Sequence, residues 1–206
     1  MIGSEIINKF ELWTDDTTEL STEQELSLAN EKANDIYTEC VWEFLRKNVT
    51  GSFTGGYIDL AIVAPDFVFP MANYTEDESY ASPTIPVVFV GGSVPYKIIP
   101  MGLRKQHQGQ NVCWVDLVQK RIVFGDSSAS GTFDFDYQYA PADVTANTAL
   151  VIPDSYAMIV VYAMLIDDDV IQKTEKARSN IVENTRQYLR IMSNLKSYNA
   201  KFILQQ

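Results

Sequence analysis

Between Thr132 and Tyr139 the side chains alternate without a break, with Phe133, Phe135, Tyr137 and Tyr139 on one side and Asp134, Asp136 and Gln138 on the other. Period two is the repeat of a strand, and rings set opposite carboxylates call for a sheet with one packed face and one wet face. An all-helical fold is thereby excluded. Strand signals extend back from this stretch. Tyr57 to Phe69 is rich in β-branched and aromatic residues and is punctuated by Pro65 and Pro70. Ile85 to Val90 and Val94 to Ile99 are short apolar runs divided by Gly91-Gly92-Ser93, and Val112 to Val115 with Arg121 to Phe124 read as the arms of a hairpin. Asn73 to Pro83 is acidic and without period, which predicts a surface excursion from the sheet.

Both flanks change to a helical period. Ser4 can cap a short helix carrying Ile6, Ile7, Phe10 and Trp13, which Thr14-Asp15-Asp16-Thr17-Thr18 then breaks by bonding the backbone locally. Ser21 followed by Gln24 is a capping-box pattern. From there Leu26, Ala29, Ala33, Ile36, Cys40 and Phe44 predict a helix that Arg46 and Lys47 close. After Pro153, Tyr156, Ile159, Val160, Ala163 and Ile166 form an apolar face, Asp167-Asp168-Asp169 marks a solvated bend, and Ala177, Ile181, Tyr188, Ile191 and Leu195 continue as a last helix. The expected class is α+β: an antiparallel helical bundle from N- and C-terminal helices with an inserted antiparallel β-sandwich or barrel. Its expected parts are residues 1–50 with 152–196, the insert 51–151, and an extension 197–206.

Size and charge narrow the function. With 206 residues, 46% of them apolar, the chain can bury about 70% of its unfolded surface without a metal or disulfide staple. Cys40 and Cys113 read as small buried thiols, and the start lacks the pattern of a secretory signal, so a reducing compartment is expected. The longest apolar run, Tyr156 to Ile166, falls short of the ~20 residues a membrane span needs. A net charge of −11 argues against gripping DNA phosphates. Acidic residues outnumber basic ones 11 to 4 in residues 1–50, whereas residues 151–206 carry 6 against 7. An acidic surface repels DNA and suits a channel through which DNA slides.

Candidate chemistry is sparse. His107, the single histidine, sits in a polar loop sequence, and no Gly-x-Ser-x-Gly elbow is present. Consecutive carboxylates at Asp167 to Asp169 splay around a helix, and Gly51 to Gly56 lacks the Lys-Ser/Thr of a phosphate loop, so it reads as a connector. Asn48-Val49-Thr50 and Asn73-Tyr74-Thr75 are chance matches to the glycosylation pattern. The Phe133 to Tyr139 stripe reads as core before it reads as a base- or sugar-stacking platform. No catalytic residue, metal site or cofactor is expected. Tyr198, Phe202, Ile203 and Leu204 crowd large apolar side chains near the C-terminal end of the sequence, where such groups dock on a partner.

The order of these pieces resembles a known family. Trp13-Thr14-Asp15-Asp16, then Val41-Trp42-Glu43-Phe44-Leu45-Arg46-Lys47 feeding strands, then Phe133 to Pro141 leading to Ile152-Pro153-Asp154 and a helix, is similar to the portal adaptor, or head-to-tail connector, proteins of tailed bacteriophages. The resemblance implies a homo-oligomeric ring, commonly a dodecamer, in the virion neck. Portal protein would lie above it and tail or nozzle proteins below, with DNA passing through without specific binding and no membrane involved. It also implies that residues 197–206, with Tyr198, Phe202, Ile203 and Leu204, reach the portal, and that the chain is no enzyme. Two other readings are a tail terminator or stopper ring protein, and a small ligand-binding β module using the Phe133 to Tyr139 stripe.

Overall fold

The computed structural model describes residues 1–14, 20–72, 86–107, 110–172 and 175–204, with the side chains of 169–179 and 202–204 left aside. The Asn73 to Pro83 excursion therefore lies outside the described residues. The chain divides into two compact units, Met1–Phe44 with Pro141–Gln206, and Leu45–Ala140.

The first unit is organised around one buried helix. Helices α1 (Gly3–Thr14) and α2 (Thr22–Thr38) precede the second unit in sequence, and α4 (Met158–Gln172) and α5 (Glu175–Leu204) follow it. Ile159, Val160, Val161, Met164 and Leu165 of α4 are all buried, the mark of a helix surrounded on every side. Helices α1 and α2 pack on α4 and on each other, whereas the main helical partner of α5 is α4. The segment after residue 140 stitches the N-terminal helices in place: Ser4 N–H donates to Ala146 O at 3.0 Å, and Val144 N–H donates to Asn30 Oδ1 at 2.7 Å. The capping box of α2 is present, with Ser21 N–H donating to Gln24 Oε1 at 2.8 Å and Gln24 N–H to Ser21 Oγ at 3.4 Å.

Helix α2 stops at Thr38 instead of running to Lys47, which corrects the sequence reading. Trp42, fully buried, turns back and donates its indole N–H to Ile36 O at 2.8 Å, satisfying a carbonyl at the helix end. Arg46 already belongs to a strand. The acidic run at 167–169 also departs from expectation, because Asp167 lies inside α4 and pairs with Lys32 Nζ of α2 at 2.5 Å.

The second unit is a single mixed sheet of eight strands: β1 (Arg46–Phe53), β2 (Tyr57–Asp59), β3 (Phe67–Pro70), β4 (Val87–Val90), β5 (Val94–Ile98), β6 (Val112–Asp116), β7 (Arg121–Phe124) and β8 (Gly131–Tyr139), with the four-residue helix α3 (Leu60–Val63) between β2 and β3. Strand order is β1-β8-β4-β5-β6-β7-β2, and β3 pairs with β8 beside this path. The two ends of the order, β1 and β2, are consecutive in the chain. They are joined by a turn in which Gly55 and Gly56 take φ of +75° and +76°, and a Thr54–Tyr57 bridge nearly closes the sheet into a barrel. Gly91 and Gly92, also at positive φ, turn β4 back along β5.

The expected class is corrected on both counts. The strands do not form a sandwich or an all-antiparallel barrel, because β5 and β6 run parallel across the connection that holds His107. The helices do not form an antiparallel bundle, because α5 lies along α4 without packing lengthwise on α1 or α2.

Phe133, Phe135 and Tyr137 of β8 point into the barrel with Phe53, Ile58, Val88, Cys113, Ile122 and Phe124. Phe53 stacks on Phe124 with ring centroids 4.6 Å apart, and Tyr96 meets Phe124 edge-on at 5.0 Å. The alternation fails at the strand end. Gln138 is buried and Tyr139 half-buried, where β3 pairs with a register shift between Phe67 and Phe69. Gly51, read as part of a connector, is instead mid-strand in β1, opposite Phe133.

Candidate functional site

A site for association needs apolar groups that the fold leaves uncovered, and each unit supplies one such surface. On the helical unit, the repeat of Tyr188, Ile191 and Leu195 turns one face of α5 toward α4, with Met192, Leu195 and Asn199 buried. At its edge Tyr156, Met158, Tyr162, Arg190, Ile191 and Asn194 line a cleft of about 350 Å³. Tyr162 is held from α1 by Trp13, edge-on at 5.2 Å, and Lys9 Nζ meets Met158 Sδ at 3.5 Å. Trp13 and Leu12 remain exposed on α1, as do Val182 and Leu189 on α5.

Tyr198 belongs to this region. Its ring lies 5.3 Å from that of Tyr156, so it is a half-buried neighbour of the cleft and not part of a free tail. The expected C-terminal extension is likewise the end of α5, whose backbone stays helical to Leu204. The side chains of Phe202, Ile203 and Leu204 lie outside the described residues. The spacing of Tyr188, Ile191 and Leu195 predicts this helix only as far as residue 196, and its continuation to Leu204 corrects the expected extension.

Asn199 had no such signal. One turn along α5 it is buried and clasps the segment after α2: Glu43 N–H donates to Asn199 Oδ1, and Asn199 Nδ2 donates to Val41 O, both at 2.7 Å. Lys196 adds an ion pair to Glu39 at 2.7 Å.

On the barrel unit the conspicuous surface is the turn between β6 and β7. Asp116 Oδ1 accepts from the backbone N–H of both Val118 and Gln119 at 3.0 Å, and Lys120 takes φ of +50° to complete the reversal. This fixed turn displays Leu117 at 69% exposure and Val118 at 95%. Leu117 borders a shallow hollow formed with Leu60, Ala64, Pro65 and Phe67, and Ile62 of α3 is exposed as well. The sequence places Leu117 and Val118 in the turn between two hairpin arms, but no local pattern marks them as uncovered.

A polar cluster joins β1 and β8 to the residue just before β3. Tyr137 Oη–H donates to Asp66 Oδ1 at 2.8 Å, Lys47 Nζ bonds the other Asp66 oxygen, and Lys47 also sits 4.1 Å from the centre of the Tyr139 ring. Partial burial works to raise the Asp66 carboxyl, but the bonds from Lys47 and Tyr137 outweigh it and hold the group below its ordinary value. Burial, and then the Asp66 bond, push the Tyr137 phenol up. On the outer face, Arg46 pairs with Asp136 at 2.6 Å and donates to Ala72 O at 3.0 Å, while Asn48 bridges Asp134 and Asp136. These contacts lock β1, β3 and β8 together.

The ring of His107 meets the Gln110 side-chain amide at 2.9 Å. Cys113 is in the barrel core, where burial raises its thiol, and Cys40 is only half-buried, which corrects its reading as a core thiol. Phe133, Phe135 and Tyr137 point into the barrel core, away from any external ligand. Among the described residues, no three His, Cys, Asp or Glu side chains group as metal ligands, and no helix is long and apolar enough to cross a membrane. Compared with known proteins, the chain matches no family model and no curated sequence.

Proposed function

We propose that this chain is a structural subunit whose contribution is association: an adaptor ring protein at the head-to-tail junction of a tailed phage virion, between the portal and the tail or nozzle proteins. The observation that carries the reading is the display of large apolar side chains on otherwise well-packed units, with Leu12, Trp13, Val182 and Leu189 on the helices and Leu117 and Val118 on the barrel. Large apolar side chains left uncovered in neighbouring pairs, as at Leu12 and Trp13 and at Leu117 and Val118, are the kind of group that protein contacts bury. The phage assignment rests on the resemblance in layout. Its support is that Val41 to Lys47 and Phe133 to Pro141, the segments that carry the resemblance, coincide with the two places where the chain passes between its units. The acidic balance suits a bore that lets DNA pass without holding it. In this reading no reactive group is needed, and the C-terminal turns with Tyr198, Phe202, Ile203 and Leu204 face the portal.

Co-sedimentation of the intact chain with purified portal, followed by electron microscopy, tests the assignment. A ring seated on the portal is the expected result. A chain that ignores portal and binds tail-tube protein is a terminator or stopper instead. Turnover of a small compound by a non-oligomerising preparation, abolished by one substitution, would overturn both.

A further inference from the structure

We propose that the loop between β5 and β6, at Met101 to Lys105, docks on the exposed face of α2 in a second copy of the chain. This rests on the association reading above and names its surfaces. The loop is an exception in charge. Of the chain's 27 acidic residues none falls in residues 79–115, where Lys97, Arg104 and Lys105 lie. Arg104 and Lys105 are exposed and form no ion pair among the described residues. Asp126, beside the start of β6, turns its Oδ1 onto the Ser128 N–H at 2.8 Å and the Ser128 hydroxyl at 2.7 Å. Met101 and Leu103, 44% and 39% exposed, stand next to the two cations. Leu103 N–H donates to Pro100 O and Gln106 N–H to Leu103 O, both at 2.9 Å, so the loop is shaped before it docks and loses little conformational entropy.

Helix α2 supplies the matching groups. Leu28, Glu31 and Asp35, at steps of three and four, share one face, with both carboxylates exposed and the leucine half-buried. One cation stands among them. Lys32 contacts Glu31, Asp35 and Asp167 at 3.1, 3.9 and 2.5 Å, and its side chain is 13% exposed, so three carboxylates share a single covered ammonium. Lys196, further along, is paired with Glu39. The face is therefore net negative where the loop is positive, with an apolar residue on each side of the contact. Two cations flanked by bare apolar side chains suit such a face better than DNA, whose phosphates call for clustered Lys and Arg. Because loop and helix face are different surfaces, the contact is heterologous. It closes into a ring when the rotation per copy divides a full turn, and otherwise continues as a filament.

Charge reversal on the full chain tests this by sedimentation velocity, alone and with portal. The wild type assembles, whereas Arg104→Glu/Lys105→Glu and Glu31→Lys/Asp35→Lys each sediment as single chains with unchanged circular dichroism spectra. Mixed together, the two variants assemble again, because each meets the other's reversed surface. If the helix double variant does not fold, Asp35→Lys alone takes its place, since Lys32 then keeps Glu31 and Asp167. A folded loop variant that assembles like the wild type, or a mixture of folded variants that stays single, overturns the contact while leaving the ring reading standing. Assembly that requires added duplex DNA and is lost in the loop variant overturns it in favour of a phosphate partner. A wild type that stays single, both alone and with portal, overturns the two together.

Discussion

Gly51 has the smallest side chain in β1 and one of the most constrained positions. Gly51 is itself exposed, but a Cβ there would lie 2.8 Å from the tip of the buried Phe133 ring. Gly51→Ala is expected to destabilise the chain by about 1–3 kcal/mol through overpacking, measured by chemical denaturation, and Phe133→Leu in the same chain should recover part of the loss. Asp66 gives a pH dependence. Its folded pKa lies below the unfolded value, so its contribution is present above about pH 4 and is lost as pH falls through the folded pKa. Asp66→Asn should therefore lower stability at pH 7 and flatten the acid limb of a stability-against-pH curve. Asn199→Ala takes from the part-buried Glu43 amide and Val41 carbonyl their present partner, a cost of about 1 kcal/mol by thermal unfolding.

At the scale of elements, the end of α2 shows what the sequence could and could not disclose. Its start was legible because a capping box is a local signal, complete within Ser21 and Gln24. Its end was not, because Cys40 and Phe44 prolong the helical spacing while Trp42 folds back onto Ile36 and Asn199, more than 150 positions on, clasps Val41 and Glu43. Trp42→Phe keeps most of the ring and loses the indole donor, so a loss of about 1–3 kcal/mol in denaturant titrations is expected. Strand β8 was legible from its alternation. Strand β1, Arg46 to Phe53, is polar and unpatterned, and is a strand because eight of its residues pair with β8 more than 70 positions away. The parallel run of β5 beside β6 was equally hidden, since alternation encodes faces and not direction. Tyr198 is conspicuous in the sequence as one of several apolar residues in an expected extension, but its place on α5 beside Tyr156 is not. Nor is the bareness of the Leu117–Val118 tip, because exposure is decided by what fails to cover a residue.

For the whole molecule the dominant quantity is a net charge of −11, most of it on the helical unit. Counterion release, the source of affinity for DNA, needs clustered Lys and Arg, so the chain should leave duplex DNA unshifted in electrophoresis at ~0.15 M salt. A retained complex under those conditions would contradict a bore that merely lets DNA pass.

Helix α4 comes late in the chain for an element on which others depend. Both N-terminal helices rest on it, yet it follows them by more than 100 residues, so on the ribosome they emerge with their apolar faces bare. The barrel can mature first, as soon as β8 has left the exit tunnel, and the helical unit only once Met158 to Gln172 has followed. Maturation of the two units in that sequence, followed by pulse-labelled hydrogen exchange during refolding, would make the helical unit, with its aromatic cleft, the last part of the molecule to become competent for assembly.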